Sequence, residues 1–266
     1  MSTASVSVVI PMHDSSRTIE RALRSVFDQT LPAREVIVVD DASTDDTCAV
    51  VERLAATSPL PVRLIRLTEN LGAGVTRNTG WDIAQSELIA FLDADDAWHP
   101  RKLEIQVEGM NAHPSTVMSC HRHRFSSTNE WASIGTPRRH MVGLRAFLFK
   151  NRCSTPSVMV RRGVPQRFGD GSHSEDYLLW MRIVAAHGPC LKIDATLVHC
   201  LNPAFGGGGL SGQVLAMERA ELAGYRALHH EGALSRTMLV VTSVWSVAKF
   251  MIRLARLANP LRRKQR

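Results

Sequence analysis

The sequence predicts an α/β fold, a Rossmann-like, mostly parallel sheet flanked by helices with a C-terminal helical extension. Two observations carry this. Apolar runs of five or six residues alternate with helical patterns through the first hundred positions, which is the order of a parallel sheet with helices on its faces. Those runs are Val/Ile/Leu-rich and uninterrupted, as strands buried on both sides are (Val6–Ile10, Glu35–Val39, Leu88–Leu92).

Taken in order, Val6–Ile10 reads as the first strand, closed by Pro11. Ile19, Ala22, Leu23, Val26 and Phe27 then fall on one helical face. Glu35–Val39 is a second strand ending in Asp40-Asp41, and Ser43-x-x-Asp46 reads as a capping box for the next helix. Val62–Leu67 is a third strand, Val75–Ala84 a helix, and Leu88–Leu92 a fourth strand that stops at Asp93, Asp95 and Asp96. Three carboxylates in four positions must meet water, a cation or a ligand. Asp-x-Asp at a strand end suits a hard divalent ion such as Mg²⁺ or Mn²⁺.

The second half is less regular. A helix is expected from Pro100 to about Asn111, strands at Thr116–Cys120 and Ser157–Val160, and a short helix over Gly143–Lys150. A further helix runs from Glu175 to Ala186, and short strands fall at Leu191–Ile193 and Leu197–Val198. The domain is set at residues 1–215, with a nucleotide-type half to 98 and an acceptor half over 99–215; residues 216–266 form the extension. Apolar residues dominate 238–252, but Thr242, Ser243, Ser246 and Lys249 interrupt them. The run falls short of the ~20 apolar residues of a spanning helix and suits one lying in a membrane interface.

At 266 residues and 44% hydrophobic, the chain can bury a large core. Five scattered cysteines without C-x-x-C spacing argue against a disulfide framework or a zinc ribbon, and for a reducing compartment. The net charge of +7 is local: residues 249–266 hold seven cations and no acid, and removing them from 32 Lys and Arg leaves 25, equal to the 25 Asp and Glu. Two readings of this end stand, a packing helix with a solvated basic tail or an amphipathic segment that seeks an anionic membrane surface; nucleic acid is not expected as a partner. No signal peptide is evident at the start, so the expected location is cytoplasmic, peripheral at the inner face of the membrane.

Four polar clusters complete the pattern: Val38-Val39-Asp40-Asp41-Ala42-Ser43-Thr44-Asp45, Asn70-Leu71-Gly72-Ala73-Gly74-x-x-Arg77-Asn78, Phe91-Leu92-Asp93-Ala94-Asp95-Asp96 and Glu175-Asp176. With Val8-Val9-Ile10-Pro11 they resemble family 2 inverting glycosyltransferases of the GT-A fold, strongly over residues 6–98 and moderately to about 212. The resemblance implies transfer of a sugar from a nucleotide-diphosphate sugar (a UDP-, dTDP- or GDP-sugar) to an acceptor hydroxyl with Mg²⁺ or Mn²⁺, in surface-polysaccharide or glycolipid synthesis. A glycan or lipid-linked acceptor is implied. It places Pro11 and His13 at the base pocket, Asp40 as acceptor of a hydrogen bond from the base, and Arg77 beside the nucleotide. Asp93 falls on the ribose side, Asp95 on the metal, and Asp176 is the catalytic base; His199 matches a histidine that completes the metal shell in some members. Gly209-Leu210-Ser211 resembles part of a loop that closes over the donor. The chain departs from the usual Pro-x-Tyr-Asn at Pro11-Met12-His13-Asp14, which leaves the base open.

Other classes fit less well. A receiver-type signalling domain needs a late strand-end lysine, and an Asp-x-Asp phosphohydrolase carries its motif on the first strand. A non-catalytic nucleotide-sugar-binding homologue is disfavoured by the intact Asp93, Asp95 and Asp176.

Overall fold

Parallel pairing of the first four strands follows from their burial. In the computed structural model, which describes residues 5–128, 130–169, 175–201 and 214–258, β1 (Val6–Met12), β2 (Glu35–Asp40) and β4 (Leu88–Phe91) are buried along their whole length, while β3 (Val62–Arg66) forms the half-exposed edge. β1 pairs in parallel with β2 and β4, and β2 with β3. Pro11 does not end β1, which continues to Met12 and pairs it with Asp40.

The helices sit on both faces because alternate strand residues point to opposite sides. Val8, Ile10, Val36 and Val38 pack with α1 (Ile19–Phe27), α2 (Thr47–Ala55) and α4 (Lys102–Ala112). Val9, Ile37, Val39 and Phe91 pack on the other face with Trp81 of α3 (Ala73–Ile83) and Trp180 of α6 (Glu175–His187). At Gly80, an added Cβ would stand 2.5 Å from Val9 Cγ1, so the glycine lets α3 lie close on the sheet.

The second half extends this sheet with mixed directions. Its order is β3-β2-β1-β4-β8-β6-β9-β5, where β5 is Ala97–Trp98, β6 Met118–Phe125, β8 Met159–Arg161 and β9 Cys190–Cys200; β7 (Arg139–Val142) also pairs with β9. Here the structure departs from the sequence reading. The two short strands expected at 191–193 and 197–198 are one strand, because Asp194 and Thr196 take half-buried positions in an alternating pattern. β6 runs on to Phe125 with a register shift at His121–His123, and its last four residues are exposed. The capping box does not form. Asp45, not Asp46, accepts the Thr47 N–H at 3.0 Å, and Ser43 is engaged by Asp40. α4 starts at Lys102, two residues beyond Pro100. Cys120 and Cys153 are paired in a disulfide, against the expectation of free thiols; their Cα atoms are 5.9 Å apart.

α5 (Leu144–Phe149), α7 (Val214–His230) and α8 (Arg236–Ala258) complete the fold. α8 has its amphipathicity inverted. Thr242 and Ser246 are fully buried, and Lys249 Nζ donates to Glu221 on α7 at 2.8 Å, whereas Val240, Val241, Val244, Trp245, Met251 and Ile252 are exposed. The polar residues that interrupt the apolar run are thus its inward face. Arg236–Leu254, 19 residues of mean hydropathy 1.4, is long and apolar enough by length and composition to cross a membrane, contrary to the expectation that it falls short.

Candidate active site

The C-terminal ends of β1, β2 and β4 open on one cleft, as the crevice of an open α/β sheet should. The cleft has a volume of about 860 Å³ and is lined by Pro11, His13, Asp41, Arg77, Asp93 and Asp95, among others. Of the six residues that the sequence places at a nucleotide (Pro11, His13, Asp40, Arg77, Asp93 and Asp95), five stand in this wall. Asp40 is the exception. Its two carboxylate oxygens receive the Ser43 amide at 3.3 Å each, its Oδ1 also takes the Ser43 hydroxyl, and it is not part of the cleft wall. Asp41 holds the opposite loop instead, accepting Leu71 N at 2.7 Å and Gly72 N at 2.9 Å. Gly72 has φ +85°, a conformation that favours glycine and lets these amides converge.

The rim is laced rather than left loose. Asp14 accepts Thr44 N at 2.8 Å, Asp45 accepts Ser16 N at 3.2 Å, and the Ser43 hydroxyl accepts Asp14 N at 3.0 Å. These bonds hold the Asp14 and Asp45 carboxyls below their usual range, the Thr44 amide being the larger cause for the first and the Thr47 hydroxyl for the second. His13, 41% exposed at its side chain, lines the cleft with its Nε2 3.6 Å from Asp14 Oδ2.

The acidic turn after β4 and the start of α6 meet across one cation. Arg77, 7% exposed, donates from Nη2 to Asp93 Oδ1 at 2.7 Å, and its Nη1 lies 3.6 Å from Glu175 Oε1. Burial works against the Arg77 cation, but Asp93, then Glu175 and Asp176, hold its pKa above the usual value. Asp176 accepts the Thr155 hydroxyl at 3.0 Å and the Tyr177 amide at 2.7 Å. Burial raises its carboxyl above the ordinary range against the pull of Arg77 and of the Thr155 hydroxyl. Glu175 is raised by burial and then by the charge on Asp176. Thr155, on a single 3-10 turn Thr155–Ser157, was not singled out by sequence; only its place beside Pro156 marked a bend.

Asp96, the last of the three carboxylates after β4, has a structural part. It is 4% exposed and accepts Leu201 N at 3.2 Å, joining the acidic turn to the end of β9. Burial, then Asp93 and Asp95, pushes its carboxyl up to about 8. β9 also carries His199 to this turn through the Ala97–His199 pair. His199 is buried, its Nδ1 bonds the Thr128 carbonyl at 3.1 Å, and Trp131 stacks on it at 3.7 Å. Burial, then Arg21 and Arg124, lowers its pKa, so the ring is neutral at physiological pH. A neutral imidazole that donates Nδ1–H to a carbonyl presents Nε2 as a lone pair, the form a metal ligand takes. By donor chemistry, a carboxylate at Asp95 and this imidazole at His199 suit a divalent ion. The one set of three ligand atoms gathered within 4.8 Å among the described residues is elsewhere, at Cys120, Cys153 and Cys190. A Mg²⁺-type ion completed by substrate phosphates needs only one or two carboxylates from the protein. Gly209-Leu210-Ser211 lies outside the described residues.

A family model described as glycosyl transferase family 2 matches residues 7–165. TuaG of Bacillus subtilis (strain 168), a putative teichuronic acid biosynthesis glycosyltransferase, is 41% identical over 105 residues, covering 40% of this chain and 41% of that protein. The chain thus spans about two fifths of that relative's length. WfgD of Escherichia coli, named a UDP-Glc:alpha-D-GlcNAc-diphosphoundecaprenol beta-1,3-glucosyltransferase, is 28% identical over 180 residues, 67% of this chain and 69% of that one. The solved mannosyltransferase PcManGT of Pyrobaculum calidifontis, in complex with GDP-Man and Mn²⁺, superposes with a TM-score of 0.69 at 20% identity, covering 97% of this chain and 76% of that one. The fold is the GT-A fold that the motifs led us to expect, and the chain belongs to glycosyl transferase family 2.

Proposed function

We propose that this protein is an inverting, metal-dependent glycosyltransferase of bacterial surface-polysaccharide or glycolipid synthesis. The observation that carries the reading is the meeting of two acidic centres across Arg77: Asp93 and Asp95 below the cleft, Glu175 and Asp176 beside it. A nucleotide-diphosphate sugar lies in the cleft with its base toward Pro11 and His13 and its diphosphate toward Asp95. Asp95 and His199 would hold Mg²⁺ or Mn²⁺, which when bound would supply positive charge to stabilise the leaving diphosphate. Asp176 takes the proton of the acceptor hydroxyl as that oxygen bonds to the anomeric carbon from the opposite face. The bond from that carbon to the diphosphate breaks with its electron pair going to the diphosphate, so one displacement inverts the centre. The raised pKa of Asp176 makes it a stronger base than a free carboxylate. Asp40 is left to brace the Ser43 turn, and we assign its expected place at the base to Asp41.

The acceptor is a lipid-linked glycan at the cytoplasmic face of a membrane. Both the diphosphoundecaprenol in the name of WfgD and the outward apolar face of α8 support this. That face meets lipid, with Arg262, Arg263, Lys264 and Arg266 beyond it in sequence for anionic headgroups.

Screening nucleotide-sugars by thermal shift with Mn²⁺ tests the donor assignment, since a bound donor raises the melting temperature. Asp95→Ala should lose the metal-dependent shift. Asp176→Asn should keep the shift and lose transfer by ~10²-fold or more. Full transfer by Asp176→Asn places the base elsewhere.

A further inference from the structure

The chain between α8 and the catalytic base has a chemistry that donor binding does not use. It begins at Phe149, whose carbonyl accepts Trp245 Nε1 of α8 at 3.0 Å while the two rings lie 6.1 Å apart. It ends at Thr155, which donates to Asp176. Between these points stand Lys150 and Arg152, both exposed, and Cys153 ties the segment to β6.

β6 and β9 bring further cations to the same place. Lys192 Nζ donates to the Arg152 and His121 carbonyls at 2.7 Å each, neutral partners that leave its charge standing. Lys192 and Lys150 both disfavour protonation of His123, after burial, and so lie beside it. Burial, then Arg122 and Arg152, brings Lys192 down to about 8, against Cys190 and Asp194, so it stays charged at neutral pH. The nearby acid is Asp194, already held by Arg122 at 3.0 Å and facing His140 at 3.7 Å. Among the described residues no salt bridge takes Lys150, Arg152 or Lys192. Cations gathered without acids repel one another, and an anion relieves that repulsion.

We propose that Lys150, Arg152, Lys192 and His123 bind the diphosphate of a prenyl-diphosphate-linked acceptor, whose lipid lies along the outer face of α8 and whose sugar hydroxyl reaches Asp176. This rests on the glycosyltransferase reading above and adds the acceptor's place. The order along the protein (apolar helix, cations, base) is the order of lipid, diphosphate and sugar in such a molecule.

Farnesyl diphosphate titrated into the full chain in EDTA tests the site with metal-dependent donor binding silenced. Tryptophan fluorescence or calorimetry gives the affinity. Wild type should bind, farnesol should bind at least tenfold more weakly, and Lys150→Glu and Lys192→Ala should each lose about tenfold for the diphosphate. Lys150 is exposed, so Lys150→Glu should fold even if Lys192→Ala, which cuts two backbone bonds, does not. Equal affinity of wild type and folded Lys150→Glu overturns the site, as does equal binding of farnesol. Phosphatidylglycerol vesicles separate the two phosphate sources: if Lys150→Glu weakens vesicle binding but not farnesyl diphosphate binding, the cations read lipid headgroups and the proposal falls. A nucleotide-sugar shift without farnesyl diphosphate binding overturns this site alone; loss of the nucleotide shift in wild type overturns the donor reading instead.

Discussion

Replacing Arg77 by Met removes one charge and keeps most of the volume, and the structure sets the expected cost. The guanidinium is buried and faces Asp93 at 2.7 Å and Glu175 at 3.6 Å, with Asp176 close enough to raise its pKa further. Breaking a fully buried ion pair from one side costs about 3–5 kcal/mol, because the partner charge is left unpaired. Asp93 keeps 29% of its side-chain surface and Glu175 only 13%, so water solvates the first and not the second. That exposure brings the expectation to about 2–3 kcal/mol, or a fall of about 4–12 °C in melting temperature. The pH dependence identifies the cause. Arg77 lowers the carboxyls of Glu175 and Asp176, which burial raises, so its loss raises both further. A carboxyl raised in the folded state binds a proton more tightly there than when unfolded, so its contribution falls as pH rises from the unfolded pKa through the folded one. Thermal melts from pH 5 to pH 8 should show Arg77→Met losing most against wild type at pH 8 and less at pH 5. A deficit independent of pH, or greatest at pH 5, would refute the electrostatic account and leave packing against Phe168 as the role of Arg77.

Three further outcomes follow from the same contacts. Thr155→Val removes the hydroxyl that lowers Asp176, so the acidic limb of kcat/KM should move to higher pH, with more activity lost at pH 6 than at pH 8, and an unmoved limb would refute the contact's role. Unreduced, unfolded protein should titrate three thiols, those of Cys48, Cys190 and Cys200, and reduction should bring in Cys120 and Cys153; five before reduction would refute the pairing. Val244→Glu, on the exposed face of α8, should cut flotation with anionic liposomes by roughly tenfold without lowering the melting temperature, and unchanged flotation would remove α8 from the membrane contact.

Much of the cleft wall is legible in sequence because its signal is local. Strand-end carboxylates sit where an apolar run stops, and Asp93, Asp95 and Arg77 are each flagged by the run or turn beside them. Asp40 and Asp41 show the limit. Adjacent residues at a strand end point to opposite sides, and the strand's exact end decides which enters the cleft. The contacts around Asp176, Asp96 and His199 are of long separation, which no window records. Thr155 meets Asp176 across 21 positions, Asp96 meets Leu201 across 105, and Trp131 finds His199 through a loop without periodicity.

α8 shows that an apolar stripe does not by itself say which way it faces. Apolar periodicity says that one face differs from the other, and burial of the apolar face is the default for a helix on a water-soluble core. Here Glu218 and Glu221 on α7 reverse the choice. Lys249 pairs with Glu221, and Arg253 and Ser246 both act to lower Glu218, which burial raises. The Lys249–Glu221 pair, Ser246 and Glu218 thus face inward, and the valines, Trp245, Met251 and Ile252 are turned outward. Two of the seven cations counted toward an anionic surface are spent within the protein. The proposed membrane contact then rests less on charge than on apolar area, and it should resist salt better than a purely basic tail would.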